Sequence, residues 1–126
     1  MTKTKKTLLA VQDDILRMTV EIWLYRSDYL ITNALKKEVE DLDTILRHNH
    51  FDVVIIQIDA HRHTLSKFLL MLLKHHVKIL FITENKGRMK KITANSNIVQ
   101  MLRHPFEYHD LLTTLHKLCN PTQVVY

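Results

Sequence analysis

The sequence predicts an α/β fold: a three-layer α/β/α sandwich around a five-stranded parallel sheet. Three observations lead there. Five short apolar runs recur along the chain, as in strands buried on both faces. Amphipathic stretches with helical spacing separate them. Finally, 126 residues with a single Gly and two Pro leave no obvious linker, so residues 1–126 read as one domain with its core over residues 6–119.

The elements follow in order. KTLLAVQ, residues 6–12, is a first strand running into Asp13 and Asp14. From Asp14 to about Ser27, Leu16, Val20, Trp23 and Leu24 share one helical face, while Ile15, Met18, Ile22 and Tyr25 form a second apolar stripe. Val20, Ile22 and Leu24 also alternate as a strand would, but the longer helical pattern is preferred. YLITNA, residues 29–34, is the second strand. Residues 38–47 form a helix with Val39, Leu42, Ile45 and Leu46 inward and its acids on solvated faces.

FDVVIIQID, residues 51–59, contains the third strand. Residues 64–75 form a helix with Leu65, Phe68, Leu69 and Leu72 toward the core. VKILFIT, residues 77–83, is the fourth strand. ENKGRMKKITANSN, residues 84–97, reads as a basic loop with a short helix around Met89 and Ile92. IVQML, residues 98–102, is the fifth strand. Glu107 to Cys119 is the last helix, with Tyr108, Leu112, Leu115 and Cys119 on one face, stopped by Asn120-Pro121.

Composition narrows the function classes. Hydrophobic residues are 46% and charged residues 25%, which is ordinary for a globular domain. The net charge of +5 favours acidic partners without requiring nucleic acid. The lone Cys119 excludes an internal disulfide and suits a reducing compartment. The N-terminal apolar stretch breaks at Gln12-Asp13-Asp14, too early for a signal peptide, and no apolar run approaches a membrane span. The expectation is a cytoplasmic protein that does not enter membranes.

Ligand sites in parallel α/β sheets lie at the carboxyl ends of the strands. Those ends carry Gln12, Asp13 and Asp14, then Gln57 and Asp59, then Thr83, then His104 with Pro105. This set resembles the receiver domain of bacterial two-component response regulators, over residues 6–119. LLAVQDD matches the acidic-pair motif, FDVVIIQI the phosphoacceptor strand, ILFIT the strand ending in Thr or Ser, and MLRHPF the Lys-Pro-Phe motif. The resemblance implies a flavodoxin-like (βα)5 fold with strand order 2-1-3-4-5.

The chemistry does not survive the mapping. Gln57 stands where the phosphoacceptor Asp belongs, and an amide has no anionic oxygen to attack a phosphoryl donor. Gln12 replaces the first acid of the pair, so a Mg²⁺ site loses hard anionic ligands. His104 replaces the Lys, and imidazole is shorter and mostly neutral near pH 7. Met101 stands where the switching aromatic usually lies. Each of the first three changes removes a charge the phosphorylation site needs. The sequence thus resembles a pseudo-receiver without cofactor or metal. An alternative register keeps three carboxylates, with Asp13-Asp14 as the pair and Asp59 as acceptor. It moves the acceptor two residues beyond the strand end and still lacks the Lys.

Nine histidines raise a metal reading, with His61, His63 and His104 near the carboxyl edge. No Cys pair or His-Glu spacing accompanies them, so they read as surface groups. Lys86, Arg88, Lys90 and Lys91 form a basic cluster in the segment that receivers commonly use against partners, and with Met101 they are the candidate partner-binding residues. The cluster lacks interleaved aromatics, which argues against single-strand nucleic acid binding. The extra apolar residues Trp23, Tyr25, Leu70, Met71 and Leu73 exceed what one core face needs and suggest docking or self-association, including a homodimer.

No nucleotide loop or catalytic triad order appears, so no enzymatic activity is expected. The leading expectation is a stand-alone pseudo-receiver that acts in bacterial signalling by protein–protein contact without phosphorylation. The alternatives are a small-ligand or metal sensor using the vacated pocket, a phosphoacceptor receiver using Asp59, and a nucleic-acid-binding module.

Overall fold

The computed structural model describes residues 4–34, 39–58, 62–83 and 97–119. The strands are β1 (Lys5–Ala10), β2 (Tyr29–Asn33), β3 (Val53–Gln57), β4 (Lys78–Thr83) and β5 (Val99–Arg103). The helices are α1 (Asp14–Tyr25), α2 (Val39–His48), α3 (Arg62–Lys74) and, last, α4 (Tyr108–Cys119). The five strands form one parallel sheet in the order β2-β1-β3-β4-β5. The short helix expected around Met89 and Ile92 lies outside the described residues.

Side-chain alternation splits the core between the two faces of the sheet. Register aligns Leu8, Val54, Ile79 and Val99 across β1, β3, β4 and β5. These residues face Leu42 and Leu46 of α2 and Phe68, Met71 and Leu72 of α3. Leu9, Val53, Ile55, Leu80 and Ile82 face the other way, onto Leu16, Val20 and Leu24 of α1 and Leu111, Leu115 and Leu118 of α4. The central β3 is buried along VVII, which explains why it reads as a continuous apolar run.

Local chemistry sets the helix ends. Asp13 caps α1, its Oδ1 accepting the Leu16 N–H at 3.0 Å. Glu40 and Asp41 open α2, and Arg47 and His48 close it, each charge matched to the helix dipole. Asp28 (φ 63°) and His76 (φ 56°) reverse the chain before β2 and β4 in the left-handed region, where Asp and His are enriched among non-glycine residues.

Several expectations need correction. The last helix buries Leu111, Leu115 and Leu118. The face expected from Tyr108, Leu112, Leu115 and Cys119 is therefore rotated: Tyr108 is exposed and Leu112 half-buried. A helix covering two strands is buried along whichever arc the sheet offers, and several arcs of this amphipathic segment were apolar. Met71 is buried against the sheet, so it is not surplus surface. Trp23 is also accommodated: it packs against the α1–α4 core and lies 6.2 Å from the Phe106 ring and 5.7 Å from the Tyr108 ring. Tyr25, Leu70 and Leu73 are exposed, as are Ile15, Met18 and Ile22 of the second stripe on α1.

Candidate functional site

The strand order reverses at β1, whose successor β2 lies on one side and β3 on the other. A crevice at such a switch point opens where the carboxyl ends of neighbouring strands part. Here it lies between the loop after Ala10 and the end of β3. Gln57 closes β3 and reaches across this crevice. Its side-chain carbonyl Oε1 accepts the backbone N–H of Gln12 and that of Asp13, both at 3.0 Å. One amide oxygen thus satisfies two successive donors, tying the β1–α1 loop to the central strand.

The remaining residues are arranged around that tie. Asp13 lies beside it, with its carboxylate engaged as the cap of α1. Asp14 is exposed on the first turn, its Oδ1 2.8 Å from the Arg17 guanidinium. Thr83 is buried at the end of β4, and its carbonyl accepts the His104 N–H at 2.8 Å. The Ile58 N–H donates to the Ile82 carbonyl at 3.0 Å, so the end of β3 remains laced to β4.

His104 opens the segment after β5. The His104–Pro105 peptide is cis, and the imidazole meets the Phe106 ring edge-on at 6.1 Å. Asp13, Ile15, Leu16, Thr19, Trp23, His104 and Phe106 line a cavity of about 270 Å³ beside the crevice. Gln12, Asp13, Gln57, Thr83 and His104 are therefore gathered at one edge of the sheet, as their strand-end positions require.

Asp59 and His61 lie outside the described residues, as do the basic residues Lys86, Arg88, Lys90 and Lys91. Met101 is half-buried and packs against the α2–α3 core. Among the described residues, no group of three or more His, Cys, Asp or Glu is placed to hold a metal. Trp23 and Phe106 line that cavity and Tyr108 packs against Trp23, a grouping that spacing did not reveal. Of the three, only Trp23 stood in the surplus of large apolar residues that the sequence showed.

No family model and no curated protein matches the chain. Solved structures do. The chemotaxis protein CheY4 of Vibrio cholerae superposes with a TM-score of 0.71 at 21% identity, over 91% of this chain and 98% of that one. The fold is that of a response-regulator receiver domain. The receiver domain of the sensor histidine kinase PA1611 of Pseudomonas aeruginosa matches with a TM-score of 0.69 at 15% identity, over 92% and 98% of the two chains. The receiver domain of the Francisella response regulator 1452 matches at 0.68 and 18%, over 95% and 100%.

The PA1611 receiver structure has a magnesium ion coordinated in its active-site cleft. Among the described residues, the donors at this edge do not fit such an ion. Gln12 and Gln57 supply neutral amides, and the Gln57 oxygen is directed at two backbone N–H groups. The Asp13 carboxylate is engaged by the Leu16 N–H. Mg²⁺ binds through hard anionic oxygens in near-octahedral geometry, which these groups do not present.

Proposed function

We propose that this chain is a receiver-fold signalling protein of two-component type that works by protein–protein contact, without accepting phosphate. One observation carries this reading. At the acceptor position stands Gln57, whose Oε1 is held by the Gln12 and Asp13 N–H groups. A receiver carboxylate at that position attacks phosphorus as an anion. A neutral amide oxygen that already accepts two hydrogen bonds is a poor nucleophile. The tie also performs structurally what charge performs elsewhere, since it fixes the β1–α1 loop against β3 without a cation.

Three further features support the same reading. Gln12 lacks the charge that phosphoryl transfer calls for at its position, and His104 offers a shorter side chain than the Lys of that motif. Asp13 stabilises α1 as its cap. Met101 packs half-buried at the position where a receiver carries its switching aromatic. The protein so read is a constitutively shaped module, and its partner is another protein in a bacterial signalling pathway.

The test is titration with beryllofluoride and Mg²⁺, followed by amide NMR. The expected result is unchanged Gln12, Asp13 and Thr83 resonances. Saturable, Mg²⁺-dependent shifts at Thr83 that vanish in Asp59→Asn would replace this reading with phosphorylation at Asp59.

A further inference from the structure

Strand β2 is an edge of the sheet, and no other strand pairs with its outward side among the described residues. Natural edge strands are commonly blunted by Pro, by charge or by a bulge. YLITN contains no Pro and no charged residue, and pairs in regular register with β1 from Lys5↔Tyr29 to Leu9↔Asn33. Beside it, α1 carries the exposed apolar residues Ile22 and Tyr25, the latter 84% exposed. Leu30 on β2 itself is 56% exposed. Between helix and strand lies an open, mainly apolar groove of about 730 Å³, lined among others by Ile22, Tyr25, Arg26, Leu30 and Ile31.

The hydrogen-bond phase of β2 determines what its edge can pair with. The Asp28 carbonyl accepts from Lys5, and the Ala34 N–H donates to Leu9. Even-numbered residues therefore bond to β1, and the N–H and C=O groups of Tyr29, Ile31 and Asn33 point outward. A second β2 in antiparallel orientation, with a two-fold axis at Ile31, matches this phase. It pairs Ile31 with Ile31 and Tyr29 with Asn33 as hydrogen-bonded pairs at every step. Leu30 then faces Thr32 on the opposite side of the sheet.

Charge agrees with the same orientation. Glu21 accepts from the Asn33 side chain at 2.6 Å, at the carboxyl end of β2. Arg26 lines the groove next to Asp28 and Tyr29, at the amino end. Antiparallel pairing brings the Tyr29 end of one copy beside the Asn33 end of the other, and so Arg26 of each beside Glu21 of the other. The two α1 helices come to lie on the same face of a continuous sheet, with each apolar stripe directed at the other copy's groove.

We propose that the occupant of this face is a second copy of the chain, joined through β2 edges into a two-fold dimer with Ile31 at the axis. This goes beyond the reading of a phosphate-independent module and does not depend on it.

The test is sedimentation of the full chain over a range of concentrations. The wild type is expected to form a dimer. Leu30→Lys, an exposed change that leaves the monomer fold intact, weakens it, and so does Ile31→Pro, which removes an outward N–H that β1 does not use. Circular dichroism checks that both variants remain folded. Arg26→Glu weakens the dimer about tenfold, and adding Glu21→Arg recovers most of the loss. A wild type that stays monomeric throughout, or a dimer indifferent to Leu30→Lys and Ile31→Pro, would overturn the proposal.

Discussion

The Gln57 side-chain oxygen lies 3.0 Å from the backbone nitrogen of Asp13, and it accepts the neighbouring Gln12 N–H at the same distance. The amide that closes β3 is thereby a structural tie between the central strand and the β1–α1 loop. Its removal has a measurable cost. In Gln57→Ala both N–H groups lose their protein partner and turn to water, at a loss of about 1–2 kcal/mol. Denaturant unfolding measures this. Gln57→Glu retains an acceptor of the same length and is expected to lose less. Equal losses for the two variants would argue against the tie.

Asp13 contributes by capping α1 through the Leu16 N–H. Asp13→Ala is expected to destabilise the fold by about 1 kcal/mol, while Asp13→Asn or Asp13→Ser, which keep a capping oxygen, recovers most of it. A carboxylate retained for metal binding would show the opposite preference: neither neutral cap would be distinguishable from Asp13→Ala in a Mg²⁺ titration, and the wild type would bind the ion.

Asp43 joins α2 to α3. Its Oδ1 lies 2.7 Å from the His75 Nε2, and its Oδ2 accepts from Arg47 at 3.0 Å. The His75 hydrogen bond holds the carboxyl below its ordinary range against the opposing effect of burial, with the positive charge of Arg47 and Lys74 aiding it. A carboxyl whose folded pKa is depressed adds stability above its unfolded pKa, near 4, and loses it as pH falls through the folded value. Acid unfolding of the wild type is therefore expected to be steeper below about pH 4 than that of Asp43→Asn. Superimposable acid limbs would remove Asp43 from the account.

Tyr29 behaves in the opposite sense, at the alkaline end. Burial, then the adjacent Cys119 thiol, raises its phenol from the ordinary 10.0 to about 12. A raised pKa means the folded protein holds the proton more tightly. Its contribution to stability is complete below pH 10 and is lost as pH rises through about 12. Spectrophotometric titration should show one phenol lagging behind the others. That late component should disappear in Tyr29→Phe. Its persistence would place the buried phenol elsewhere.

Much of the fold was legible because period and strand length are local properties. VVII on β3 and ILFI on β4 are apolar without interruption since both faces of those strands are covered. Leu16, Val20 and Leu24 set the buried face of α1 by helical spacing alone. The strand ends were legible too, and placed Gln12, Asp13, Gln57, Thr83 and His104 at one edge. Less legible was the orientation of α4, because Tyr108, Leu111, Leu112, Leu115, Leu118 and Cys119 offer more than one apolar arc. Trp23 and Met71 looked like surplus surface for the same reason: a sequence shows which residues are apolar but not which neighbours cover them.

What the sequence determined by itself is the layered α/β architecture and the absence of an acid at position 57. Both follow from residue type and order. What the tertiary structure decided is the use made of that amide. Residues 12 and 57 are far apart in the chain, and only the parallel pairing of β1 with β3 brings the Gln57 oxygen to the Gln12 and Asp13 N–H groups. The same is true of the β2 edge, whose outward donors are set by its phase against β1. Hydrogen bonds between distant segments are fixed by register, and register exists only once the sheet has formed.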